Sequence, residues 1–251
     1  MRKPFQGVWN VIRFNWPFYA LSLGLVSSIV FISNYSTGLI SFAAKVTLVL
    51  IIALTLVSLL VSCYVYDLSQ FYEFDWLDKL HNNAAERLVN INAGFDETSN
   101  LLAKRFEPAE LIAFDFYDAA KHTEASIVRA RKAYPPFPGT RTISTSSVPL
   151  KNASADEIFV IFSAHEIRDA EERAVFLGEL SRVLSPSGSI IVVEHLRDVA
   201  NCLAYNIGAL HFYSRSSWRS TFQAVRLNVE SETKITPFVT AFCLNKNGTE
   251  P

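Results

Sequence analysis

Residues 155–194, ADEIFVIFSAHEIRDAEERAVFLGELSRVLSPSGSIIVVE, constrain the fold more than any other stretch of the chain. An apolar run over 158–162 breaks at Ser163-Ala164-His165-Glu166. Val175, Phe176, Leu180, Val183 and Leu184 then recur near the 3.6-residue period of a helix with one buried face. Ser185-Pro186-Ser187-Gly188 stops that helix, and the β-branched run 190–193 ends on Glu194. Two strands joined through a helix make a parallel, right-handed unit, the building block of an open α/β sheet. Such sheets bind ligands beyond the carboxyl ends of their strands. Here those ends carry His165, Glu166, Glu194 and His195.

The chain has 251 residues, half of them apolar, and their placement is uneven. No charged residue occurs over 14–44, and none over 46–66. The second run contains VTLVLIIALTLVSLLVSCYVY, 21 residues, enough for about 30 Å of hydrocarbon at roughly 1.5 Å per residue. The first, about 17–33, is interrupted by Gly24 and a Ser pair but remains apolar enough to span. A secretory signal peptide is the competing reading of the first run; the lack of a clear small-residue cleavage site and the second span soon after argue against it. The expectation is a transmembrane hairpin within a membrane anchor of residues 1–66. Arg2, Lys3 and Arg13 precede the first run, whereas the loop around 34–41 has no Lys or Arg. The positive-inside bias therefore places both termini, and the soluble domain, on the cytoplasmic side of an integral membrane protein.

A net charge of −1 gives no footprint for nucleic acid. The three cysteines show no CxxC spacing, so neither a disulfide framework nor a cysteine metal site is expected, and no metal centre is assigned. Residues 67–85, rich in Tyr, Phe and Trp set among acids, read as a linker helix. It either packs on the soluble domain or lies at the membrane interface and holds the domain's mouth to the bilayer. Residues 86–251 then supply five alternating strands and helices and a closing antiparallel hairpin over 228–244. The fold class is an α/β, Rossmann-like, open and mostly parallel sheet with a terminal antiparallel hairpin, preceded by two transmembrane helices.

Three motifs connect this pattern to a family. Val148-Pro149-Leu150-Lys151-Asn152-Ala153-Ser154-Ala155-Asp156 precedes the fourth strand, Arg182-Val183-Leu184-Ser185-Pro186-Ser187-Gly188 precedes the fifth, and His211-Phe212-Tyr213-Ser214 follows later. Together they resemble the class I S-adenosylmethionine-dependent methyltransferases, most closely those acting on quinones and lipids. The resemblance covers roughly 87–245. It implies S-adenosyl-L-methionine as cofactor, held by the turn after the first strand and the tip of the second. The matching positions are Asn90, Asn92, Gly94 and Asp96, then Asp115, with Ser144 beside the adenine. Only Gly94 keeps a family glycine in that turn. Asn90 offers an amide oxygen where the family has a carboxylate. Asp96 and Glu97 either attract the cofactor's positive charge or simply cap the following helix. Asp115 is placed to accept the ribose hydroxyls.

On the acceptor side His165 and Glu166 are the catalytic candidates, with His165 either removing a proton from the acceptor or bonding the helix start at Asp169-Ala170. The leading expectation is a membrane-anchored methyltransferase that works with membrane lipids and a hydrophobic, lipid, quinone or isoprenoid-like acceptor at the cytoplasmic face. The alternative is a catalytically inactive, membrane-tethered interaction protein whose altered turn no longer holds the cofactor. A nicotinamide-dependent oxidoreductase is disfavoured because no GxGxxG follows the first strand.

Overall fold

The computed structural model describes residues 2–80, 85–122 and 124–246. Its centre is a seven-stranded sheet made of β1 (Arg87–Asn92), β2 (Glu110–Asp115), β3 (Arg141–Thr142), β4 (Ala155–Ile161), β5 (Leu184–Glu194), β6 (Leu227–Thr236) and β7 (Val239–Lys246). The strand order is β3-β2-β1-β4-β5-β7-β6. Strands β1 to β5 run parallel, and β7 joins β5 antiparallel before pairing with β6. The order reverses between β1 and β4, so the crevice at their carboxyl ends is the topological switch point where such sheets take ligands.

One face of the sheet is covered by α6 (Ala170–Val183) and α8 (Arg215–Ala224), with Phe176, Leu180, Trp218 and Phe222 fully buried. Helix α6 starts where Asp169 accepts the Glu172 backbone N–H, which satisfies one of the unpaired donors of its first turn. The other face meets α4 (Ser99–Arg105) and the residues that follow the apolar helices. This region differs from the expected linker helix. Residues 64–79 form a π-turn and two short 3-10 turns, punctuated by left-handed Gln70 and Phe74. Phe71, Phe74 and Leu77 are buried against Leu88, Phe159, Ile191 and Val193. Apolar residues three apart fit a tight 3-10 turn pressed onto a flat surface, and the demand of the sheet overrides continuous helix. The segment packs on the domain; residues 81–84 of the expected linker lie outside the described residues.

The apolar runs form α2 (Trp16–Tyr35) and α3 (Gly38–Cys63), which pack against each other and leave most of their side chains exposed. Their 20 and 26 residues correspond to about 30 and 39 Å. They have the length and composition to cross a membrane. A preceding helix, α1 (Gln6–Phe14), buries Gly7, Asn10 and Phe14 while exposing Phe5 and Trp9 beside it. Asp67 accepts the Gly7 and Val8 backbone N–H groups at 2.7 and 2.8 Å, fastening α1 to the end of α3. Helix α5 (Ala125–Ala133) is shorter than the span of about 117–134 that composition suggests, and α7 (Val199–Tyr205) gives way to a 3-10 turn over Asn206–His211.

Candidate active site

A cavity of about 270 Å3 opens at the carboxyl ends of β1, β4 and β5, near the lower edge of ordinary small-molecule sites, ~300–1,000 Å3. Its walls come from the turn after β1 (Ala93, Phe95, Glu97), from β4's end (Phe162, His165, Glu166), from His195, and from α1. Of the residues expected from sequence, His165 and Glu166 line this cavity. Asn90 and Asn92 lie on β1 and Gly94 and Asp96 in the turn after it, next to the lining residues Ala93, Phe95 and Glu97 but not themselves on the cavity wall. Asp115 ends the neighbouring strand, also off the wall. Ser144 is exposed, bonded within its own turn to Ser146 at 3.1 Å, and edges a separate hollow beside Phe116 and His122. The structure does not bring Ser144 to the cavity wall, because β3 ends at Thr142 and the Ser144–Ser147 bridge closes the chain on itself.

The end of the cavity at β4 and β5 is densely charged. His165 Nδ1 faces Glu194 Oε2 at 2.6 Å, and the same glutamate's Oε1 accepts the His165 backbone N–H at 3.2 Å. His165 Nε2 lies 3.1 Å from Glu166 Oε1. Burial opposes a charge on His165, but the Glu194 and Glu166 carboxylates outweigh it and raise its pKa to about 10. Glu166 is buried too, yet hydrogen bonds from His165 and His211 hold its carboxyl well below the usual range. At neutral pH this is an imidazolium between two carboxylates. The alternative role of His165 at the helix start is filled by Asp169 itself.

Next to this network His195 takes the opposite charge state. It is stacked between Phe162 and Phe212, donates through Nδ1 to the Phe238 carbonyl at 2.8 Å, and accepts the Tyr66 hydroxyl at Nε2, also at 2.8 Å. Burial lowers its pKa to about 4, so it is neutral. Tyr66 thereby ties the end of the second apolar helix directly to the site.

The opposite end is built from amides. Asn90 Nδ2 donates to Thr98 Oγ1 and Ser99 Oγ at 2.9 and 2.7 Å. Asp96 Oδ1 accepts the Thr98 and Ser99 backbone N–H groups, the capping role foreseen as one of its two options. Gly94 has φ +93°, and a Cβ there would come within 2.8 Å of Tyr117, which is why this turn keeps one glycine. Asp115 accepts the Tyr117 N–H at 2.9 Å through Oδ1, and its Oδ2 is ion-paired with Arg131. Glu97 binds Arg2 at 2.8 Å and accepts the Tyr72 hydroxyl at 2.8 Å. Nothing in the sequence signalled that Arg131, Arg2 and Tyr66 belong to the site, since each acts through a contact distant along the chain.

Residues 89–192 match the family model described as a methyltransferase domain. No curated protein matches the sequence. Among solved structures, a SAM-dependent methyltransferase from Aquifex aeolicus is similar at 15% identity and TM-score 0.50, over 71% of this chain and 93% of that one. A Pyrococcus horikoshii protein is similar at 13% identity and TM-score 0.53, over 73% and 93%. A Haloferax volcanii protein, solved in complex with the Trm112 methyltransferase activator, is similar at 13% identity and TM-score 0.50, over 73% and 92%. The likeness is one of fold, that of the class I methyltransferases.

Orphaned atoms test whether S-adenosylmethionine suits this site. Asn90 Oδ1, Asn92 Nδ2 and Asp96 Oδ2 are buried without a hydrogen-bond partner among the described residues. Two acceptors and one donor in one turn match an ammonium and a carboxylate, the two ends of an amino-acid moiety, and buried polar atoms of this kind are costly unless a ligand pairs them. The residues therefore fit the cofactor's amino-acid end. At its ribose end Asp115 fits by type and place, with Arg131 competing for the same carboxylate.

Proposed function

We propose that the protein transfers a methyl group from S-adenosylmethionine to a hydrophobic acceptor at the cytoplasmic face of a membrane. The observation that carries the membrane reading is an exposed apolar belt beside the two long helices. Val199, Leu203, Ile207 and Leu210 are 67–85% exposed on α7 and the turn after it, and α7 packs beside α3. Around α1, also in contact with α3, Phe5 just before it, Trp9 on it and Trp16 at the start of α2 are more than half exposed. Large apolar side chains stay in contact with water only at a cost of about 25 cal/mol per Å2, and rings with a polar edge favour the headgroup region. Submerging the belt together with α2 and α3 removes that cost and sets the cavity, whose walls include α1, Tyr66 and Tyr205, directly below the bilayer.

In this reading Asn90, Asn92 and Asp96 hold the amino-acid end of the cofactor and Asp115 the ribose. Bound there, the cofactor supplies an electrophilic methyl group. Phe95, Phe162 and Phe212 exclude water and accept an apolar acceptor body. Glu166, kept ionised by its partners, accepts a hydrogen bond from the acceptor and so orients its nucleophilic atom, whose proton leaves to water, while His165 positions Glu166. Because methyl transfer from a sulfonium is intrinsically favourable, most of the acceleration comes from alignment.

The test is calorimetric titration of the detergent-purified protein with S-adenosylmethionine and S-adenosylhomocysteine, followed by incubation with membrane lipid extract and labelled methyl donor. Binding of both, with label entering the lipid fraction, is expected. Folded protein that binds neither ligand points instead to a membrane-tethered interaction module, a role favoured by the Arg131–Asp115 pair.

A further inference from the structure

His165, Glu166 and His211 are separated by up to 46 positions in the sequence, which showed no metal-ligand spacing, yet the fold brings their ligand atoms within 4.8 Å of one another. His165 Nε2 and His211 Nε2 approach the same oxygen, Glu166 Oε1, at 3.1 and 3.7 Å. Donors bonded to one metal at about 2.0–2.2 Å, with ordinary angles between them, stand roughly 3.0–3.7 Å apart. The spacing is that of a coordination edge.

The surroundings of the two imidazoles point the same way. His165 Nδ1 is held by Glu194, which is 1% exposed, and His211 Nδ1 lies 3.1 Å from Glu124 Oε1. A carboxylate at Nδ1 fixes the tautomer, leaves Nε2 as the ligand nitrogen and raises its basicity, the usual support of a metal-bound histidine. Both histidines have it, and both Nε2 atoms converge. Three carboxylates (Glu124, Glu166, Glu194) therefore surround two imidazoles. The competing cation is Arg168, which lies against the His211 ring and donates to the His211 carbonyl at 2.7 Å. Its side chain is 43% exposed and can turn out to solvent.

We propose that His165, Glu166 and His211 form a binding site for one divalent transition-metal cation of the zinc class, at the acceptor end of the cavity. Two histidines and one carboxylate suit such ions better than magnesium or calcium, which prefer all-oxygen ligands. Three protein ligands leave at least one open position, and His165 and Glu166 line the cavity. A hydroxyl group presented there binds the cation through oxygen and gives its proton to water more readily. This last role rests on the methyl-transfer reading; the metal site itself does not.

The experiment uses full-length protein in detergent, freed of any polyhistidine tag and stripped with a chelator. Zinc uptake is measured by equilibrium dialysis with elemental analysis, and cobalt uptake by visible absorption. Wild type is expected to take up one zinc per chain and to show the ligand-field bands of low-symmetry cobalt. His211→Gln and His165→Gln should each weaken binding at least tenfold, Glu124→Gln by less, and His122→Gln not at all. His211 is partly exposed, so its variant tests the site without threatening the core, and near-UV circular dichroism verifies folding in every case. Folded wild type without stoichiometric uptake, or uptake unchanged in both His165→Gln and His211→Gln, overturns the site and leaves a purely ionic network. No methyl donor enters the assay, so its result is separate from that of the transferase test.

Discussion

The two ends of the cavity spend charge in opposite ways. At the tips of β4 and β5, ionised His165 is clasped by Glu194 and Glu166, burying full charges close together. At the tips of β1 and β2 the buried amides Asn90 and Asn92 stand behind the wall, and the carboxylates there are covered by cations from elsewhere, Asp115 by Arg131 and Glu97 by Arg2. A buried charge pair is strongly destabilising to break, whereas the Asp115–Arg131 pair, whose arginine side chain is 39% exposed, contributes less and exchanges partners more readily. The His165 end is therefore built to be fixed and the other end to be opened at Asp115, while Glu97–Arg2 stays largely buried.

The largest expected effect falls at the fixed end. Glu194→Gln strips His165 of its buried counter-charge and should lower unfolding stability by about 3 kcal/mol, read by chemical denaturation in detergent. Arg131→Ala should cost well under half of that; equal losses would break the comparison. A second effect comes from His195, neutral and buried beside the ionic network. Its pKa lies near 4 against an ordinary 6.5, so the unfolded chain takes up a proton first as the pH falls. The stability this neutral ring confers is complete above pH 6.5 and is lost between 6.5 and 4, by about 3 kcal/mol at most. His195→Phe should flatten that acid limb, and a limb unchanged from wild type would remove His195 as its source.

The smaller effects probe the open end. Asp115→Asn should weaken S-adenosylmethionine binding by more than roughly tenfold, the loss of a charge-assisted hydrogen bond. Arg131→Ala should strengthen it by roughly threefold, because the ribose no longer competes with a guanidinium. Weaker binding in Arg131→Ala makes the arginine part of the binding wall and sharpens the comparison in the other direction.

How much of this was legible before the structure depends on the range of the forces involved. The strand–helix–strand order of 155–194 is legible because a helix period between two β-branched runs is local information. Strand β4 and helix α6 form close to where that pattern puts them, while β5 also takes in Leu184, read as helical, and 185–188, read as a turn. The closing hairpin follows for the same reason. Helix α5 begins at Ala125 rather than near Tyr117, since Asp118 and His122 bond each other in a turn that interrupts the helix-favouring composition. The linker 67–79 gave up helix for short turns once Phe71, Phe74 and Leu77 found the sheet. In the site, His165 and Glu166 were identifiable from their place at a strand tip. Their partnership with Glu194 and His211, and the pairing of Asp115 with Arg131, are tertiary and had no sequence signature.

The burial of Phe71, Phe74 and Leu77 under β1, β4 and β5 has one more consequence. A domain on a slack leash would tumble and sample many heights above a bilayer. This one is mounted, because the segment that leaves α3 is itself part of the hydrophobic core. The cavity then sits at a set depth and azimuth relative to α2 and α3, and under the proposed membrane reading it works as a gauge that admits an acceptor according to how far from the membrane plane its reactive atom lies.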